Sequence, residues 1–93
     1  MLVHVEFQGV SRIAAGAKET TLEVPEGTTY RGIVRAVGRR FPALIGNVIQ
    51  ADGDAFEATL LDQTRKRIIG HDRMDETPGD GDRITFMSIL AGG

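Results

Sequence analysis

The chain has 93 residues, 13 acidic and 11 basic, with no cysteine and no tryptophan. That length makes one domain with one modest core, too small for a dinucleotide-binding α/β domain or an eight-stranded barrel. The lack of cysteine excludes disulfides, thiolate metal sites and cysteine nucleophiles, and a net charge of −2 argues against a general nucleic-acid binder. No apolar run approaches the ~18 residues of a membrane span, and Met1–Glu6 lacks the basic start of a signal peptide. The expectation is a soluble, cytoplasmic domain with no membrane contact.

The first element reads as a strand: Val3, Val5 and Phe7 alternate with Leu2, His4, Glu6 and Gln8. Gly9 to Lys18 loses that alternation and reads as a loop. Thr20 to Val24 is a second strand with Leu22 and Val24 inward, stopped by Pro25-Glu26-Gly27. A helix follows, capped by Thr28 or Thr29. Tyr30, Ile33, Val34, Val37 and Phe41 share one of its faces, and Arg31, Arg35 and Arg39 line another. Gly32 and Gly38 weaken this helix by roughly 1 kcal/mol each relative to alanine, so packing must hold it. Pro42 ends it. Leu44 to Ile49 is either a loop crossing the core or a strand near Val48. Asp52-Gly53 is a turn signal, and Phe56, Ala58 and Leu60 alternate as a strand. Asp62-Gln63-Thr64 turns the chain into a short strand, Lys66 to Ile69, whose charges suit a sheet edge. Asp72 to Asp82 is polar and turn-rich. The last strand runs from Arg83 to Leu90, with Ile84 and Phe86 inward and Thr85, Met87 and Ile89 on the opposite face.

One helix cannot separate this many strands, so the sheet is mixed and the helix covers one face. The first and last strands, the most apolar, form a central parallel pair that needs a crossover, which the helix supplies. This is an α+β, β-grasp (ubiquitin-like) arrangement, a single domain over 1–90 followed by a glycine tail over 91–93.

Three stretches resemble one family. Val24-Pro25-Glu26-Gly27-Thr28-Thr29 leads into the helix, Asp80-Gly81-Asp82-Arg83-Ile84 leads into the last strand, and Ala91-Gly92-Gly93 follows it. Together, in this order and over nearly the whole chain, they look like the ubiquitin-like sulfur carriers, the molybdopterin synthase small subunit and the thiamine sulfur carrier among them. Ser88 and Ile89 stand where many relatives carry proline, and Asp52 to Arg67 is longer and more charged than the usual middle strand.

The resemblance implies a substrate rather than an enzyme. Gly93 would bear the acyl group: a ubiquitin-activating-type adenylyltransferase, using ATP and Mg, adenylates its carboxylate. Sulfur then replaces the adenylate to give a thiocarboxylate, which a sulfur-accepting enzyme consumes in molybdopterin, thiamine, cysteine or tRNA-thiolation biosynthesis. An acyl-adenylate must be shielded from water, and residues without a Cβ fit a narrow channel. Gly92 and Ala91 are the thread, Leu90 and Ile89 the apolar contacts at the channel mouth. The chain itself holds no cofactor. Two other readings stay open: a protein modifier joined through Gly93 to lysines, and a β-grasp interaction subunit that is never activated.

Leu61, Met87 and Ile89 form either an exposed partner-binding patch on the sheet face away from the helix or a simple cover for the sheet. Arg31, Arg35, Arg39 and Arg40 either meet an acidic partner or form a solvated helix face. Asp52, Asp54, Asp80 and Asp82 read as turn chemistry rather than metal ligands, lacking the further oxygens a calcium loop needs. His4 and His71 have no second ligand at useful spacing.

Overall fold

The computed structural model describes residues 1–50 and 59–88. Five strands form one sheet: β1 (Leu2–Gly9), β2 (Glu19–Glu23), β3 (Thr59–Asp62), β4 (Arg67–Ile69) and β5 (Arg83–Ser88). Their order across the sheet is β2-β1-β5-β3-β4. β1 and β5 lie parallel, with His4 opposite Arg83 and Gly9 opposite Ser88. Every other pair is antiparallel. The parallel central pair is the one expected from the apolar content of the first and last strands. β4 occupies an edge, where its exposed Ile68 and half-buried Arg67 leave one row of backbone groups to water.

The helix α2 (Tyr30–Arg40) makes the crossover and buries Tyr30, Ile33, Val34, Val37 and Gly38. Thr29 caps it, its hydroxyl oxygen accepting from Gly32 N at 3.1 Å. The next orphan donors find carbonyls on a distant segment: Tyr30 N donates to Glu76 O at 3.0 Å and Arg31 N to Met74 O at 2.9 Å. The first turn of the helix is thereby stitched to the segment that precedes β5, satisfying groups that a helix start otherwise leaves open. The helix ends at Arg40, and Pro42–Leu44 tightens into a 3-10 turn, as Pro42 requires. Beyond it the backbone of Leu44–Ile49 closes on itself and sinks Leu44, Val48 and Ile49 into the core, so this stretch is the core-crossing loop and not a regular strand.

Val3, Val5 and Phe7 of β1, Leu60 of β3, Ile69 of β4 and Ile84 and Phe86 of β5 line the sheet's inner face against α2. Phe7 stacks edge-on against Phe41 with ring centres 5.1 Å apart, and tilts against Phe86 at 6.0 Å.

One segment departs from the sequence reading. Gly9 to Lys18 is not a loop throughout: Val10–Ala15 forms a short helix, α1. Gly9 (φ 64°) breaks the strand and Gly16 (φ 70°) closes the helix, its N–H donating to Arg12 O at 3.0 Å. Ser11 is buried, Ala14 and Ala15 pack on the core, and Arg12 and Ile13 point to water. The second strand also sits one residue earlier than expected, at Glu19–Glu23. Phe56 and Ala58, read as the start of the third strand, lie outside the described residues.

Candidate functional site

β5, the central strand of the sheet, is described to Ser88, from which the chain passes to its last five residues. Ile89, Leu90, Ala91, Gly92 and Gly93 lie outside the described residues. What the structure places is the strand before them: the ring cluster of Phe7, Phe41 and Phe86 on the inner face of the sheet and the open face on its other side.

On that open face Leu61 and Met87 are half-buried. Register sets Leu61 opposite Thr85 and Thr59 opposite Met87, so Leu61 and Met87 are diagonal neighbours on one face. Ile68, opposite Leu61 on the edge strand and 62 % exposed, extends the apolar surface. The sequence reading missed Ile68 because Lys66-Arg67 beside it suggested only a charged edge. Thr85 does turn to this face but is fully buried, its hydroxyl taking a hydrogen bond from Gln63 Nε2. Beyond Thr85 the face becomes polar: Arg83 Nη1 pairs with Glu6 and lies 3.9 Å from Glu19. A shallow depression of about 320 Å³ between Leu61, Gln63, Lys66 and Ile68 borders the apolar part.

Behind the β3–β4 turn lies a buried acid–arginine network that the sequence did not announce. Asp62 has no exposure; Tyr30 Oη donates to its Oδ2 at 2.6 Å and Arg65 N to its Oδ1 at 3.1 Å. Arg65 Nε bonds Asp82 Oδ2 at 2.9 Å, and Gly79 N donates to the same oxygen at 3.0 Å. Burial pushes the Asp62 carboxyl above the usual carboxylate value against the pull of Tyr30, and the neighbouring Asp82 adds to the rise. Burial acts on Asp82 too, but the hydrogen bonds from Gly79, Asp62 and Arg65 outweigh it and hold that carboxyl low. Of the two carboxyls, Asp62 is thus the one pushed up and Asp82 the one held down. Tyr30 is pushed up to about 12, first by burial and then by its bond to Asp62, so it remains a donor. The network ties α2, the β3–β4 turn and the approach to β5 together; it is a brace.

The other candidates resolve into structural roles. Asp80 Oδ1 accepts from Leu2 N at 2.7 Å, fastening the turn before β5 to the start of β1. Among the described residues no three histidine or carboxylate side chains stand together as a metal would require. Asp52 and Asp54 fall outside those residues. His4 Nδ1 lies 3.3 Å from Thr21 Oγ1 on the open face. Of the arginine stripe, Arg31 pairs with Asp75 at 3.1 Å, while Arg39 and Arg40 stand exposed in the last turn of α2. No helix of the described residues is long and apolar enough to cross a membrane.

The crossover topology and the central parallel pair decide the architecture, and solved structures share it. SAMP1 from Haloferax volcanii superposes with a TM-score of 0.83 over 100 % of both chains at 18 % identity. The putative molybdopterin converting factor subunit 1 from Pyrococcus furiosus gives 0.75, covering 97 % of this chain and 99 % of its own, at 21 % identity. The fold is the ubiquitin-like β-grasp. Urm1 from Trypanosoma brucei matches this β-grasp at a TM-score of 0.68 and 25 % identity, over 99 % of this chain and 95 % of its own. No protein-family model and no curated protein matches the sequence. The solved β-grasp neighbours and the sequence resemblance thus point to the same group of small ubiquitin-like proteins.

Proposed function

We propose that this chain is a ubiquitin-like carrier whose Gly93 is activated by an adenylating enzyme and converted to a thiocarboxylate. The observation that carries the reading is the full-length likeness to SAMP1 and to a putative molybdopterin converting factor subunit, in a chain whose central strand leads into Ala91-Gly92-Gly93. A Gly93 carboxylate oxygen attacks the α-phosphorus of ATP and pyrophosphate leaves. A sulfur nucleophile then displaces AMP at the carbonyl carbon. The adenylyltransferase supplies ATP, Mg and every catalytic group; this chain supplies the acyl group and the surface by which it is recognised. Gly92 and Ala91 thread the channel, Leu90 and Ile89 sit at its mouth, and Met87 and Leu61 lie against the enzyme beside it. A sulfur-accepting enzyme then unloads the thiocarboxylate in the cytoplasm.

A second reading draws on the name small archaeal modifier protein 1 carried by some structural neighbours: the activated Gly93 is transferred to lysine amines. Both readings share activation and diverge at the nucleophile.

The test is the intact mass of the protein isolated from its own host without a C-terminal tag. The expected result is a shift matching one oxygen replaced by sulfur, mapped to Gly93. Isopeptide-linked ladders on a denaturing gel without that shift select the modifier reading. An unshifted mass with no conjugates overturns both in favour of an interaction subunit.

A further inference from the structure

The molecule's charge is unevenly placed. No carboxylate occurs from Gly9 to Lys18 or from Arg31 to Gln50, although the whole chain has more acids than bases. These two segments meet. α1 follows β1 at the end of the sheet where Gly9 lies opposite Ser88, and it packs against β1, β5 and the 3-10 turn after α2. The C-terminal turn of α2 therefore sits at the same pole as the end of β5. Arg12, Arg39 and Arg40 are exposed there and form no ion pair among the described residues. Two isoleucines accompany them: Ile13, 82 % exposed on the outer side of α1, and Ile45, 37 % exposed after the 3-10 turn. Arginines with acid partners include Arg31 with Asp75, Arg65 with Asp82, Arg67 and Arg73 with Glu76, and Arg83 with Glu6.

A single isoleucine in water needs no explanation. Two of them beside guanidinium groups that pair with no acid among the described residues, at the pole where β5 ends, make a basic surface with apolar side chains within it. Such a surface attracts and orients a partner of opposite charge. Resting on the Gly93 reading above, we infer that Arg12, Ile13, Arg39, Arg40 and Ile45 form a basic collar at the pole where β5 ends. This collar seats on the activating enzyme, against a channel mouth rimmed with carboxylates and holding an apolar seat for Ile13. The collar aligns the tail with the channel before Gly93 enters, so its loss weakens capture and leaves the chemistry of the bound carboxylate intact. The partner is a protein: the net charge of −2 argues against a general polyanion binder.

The experiment is ATP–pyrophosphate exchange by the ubiquitin-activating-type adenylyltransferase of the same genome, with the full untagged chain as substrate. Ile13→Asp, and separately Arg12→Glu with Arg39→Glu and Arg40→Glu, are expected to raise KM for this chain about tenfold with little change in kcat, the size of a lost interface anchor. The wild-type KM should rise with salt, and that of the triple variant should not. Arg73→Glu, an exposed charge reversal near the start of α2, should leave KM unchanged. Circular dichroism checks that each variant is folded. Wild-type exchange with unaltered KM in both collar variants overturns the collar and leaves the Gly93 reading standing. Variants that melt earlier but keep their KM also overturn it, reducing the arginines to partners of their helix C-termini. Absence of any exchange with wild type overturns the Gly93 reading and the collar with it. Binding of tRNA by wild type, lost in the triple variant while KM stays constant, reassigns the pole to nucleic acid.

Discussion

Asp62 is wholly buried, and Tyr30, Arg65, Arg67 and Asp82 surround it. A carboxyl raised by folding binds its proton more tightly folded than unfolded, so its contribution to stability falls as pH rises above the ordinary value of 3.8. Asp82, held low, acts in the opposite sense: it stabilises above that value, and the benefit is lost as pH falls. Asp62→Asn removes the group that becomes costly on ionisation. Its penalty should therefore be smaller at about pH 7 than at about pH 4, as urea unfolding of both proteins at the two pH values will read. An equal or larger penalty at the higher pH contradicts the upward shift of Asp62. Phe86, buried between Phe7 and the core, presents a simpler case. Phe86→Ala should cost about 3–5 kcal/mol, since the void cannot collapse against a central strand; a chemical denaturation curve measures it, and a negligible loss would contradict the packing of β5. Neither Asp62's burial nor its partner was legible in the sequence. Asp62-Gln63-Thr64 reads locally as a turn, and the hydroxyl that satisfies Asp62 comes from Tyr30, 32 positions away, with no local pattern to betray it.

In α2 the two glycines look alike in sequence and differ in place. A Cβ on Gly38 would stand 3.6 Å from Ile45 and Ile49, ordinary contact, whereas one on Gly32 would meet the Thr28 methyl at 2.8 Å. Gly38→Ala should raise stability by about 0.5–1 kcal/mol through helix propensity, and Gly32→Ala should gain less or lose. Thermal melts of the two variants decide; equal gains would mean that the cap yields freely. The elements that were legible are those with a clear period: the alternation of β1, the apolar positions Tyr30, Ile33, Val34 and Val37 of α2 (the fifth, Phe41, falls just past its end), the Thr29 cap, the charged edge of β4. α1 escaped because six residues give under two turns, too few for a helical period to appear. Its signals were the bracketing Gly9 and Gly16, which read equally well as loop residues. On the open face the alternation of β5 placed Met87 and Thr85 correctly. It could not show that Gln63 from a neighbouring turn roofs Thr85 and divides the apolar surface from the polar one.

At the scale of the whole molecule, Met87 of the apolar patch belongs to β5, the strand that precedes the tail in the sequence. Met87→Asp places a charge on a half-exposed position beside Leu61 and should weaken binding to the activating enzyme about tenfold while leaving the melting temperature nearly unchanged. Unaltered affinity in a titration would remove Met87 from the interface. The same strand order has a consequence for synthesis. Among the described residues β5 alone links the β1–β2 ribbon to the β3–β4 ribbon in the sheet: β1 and β3 share no ladder there, and both are hydrogen-bonded to β5. A nascent chain that has emerged only as far as Asp82 holds two separate hairpins and an uncovered helix face, and it cannot close its sheet. Closure waits for the strand made after all the others, an arrangement of distant contacts that folds late. On the carrier reading proposed above, a partner that recognises the closed sheet is expected to engage only chains translated at least through Ser88, so the order of synthesis itself would screen out prematurely ended products.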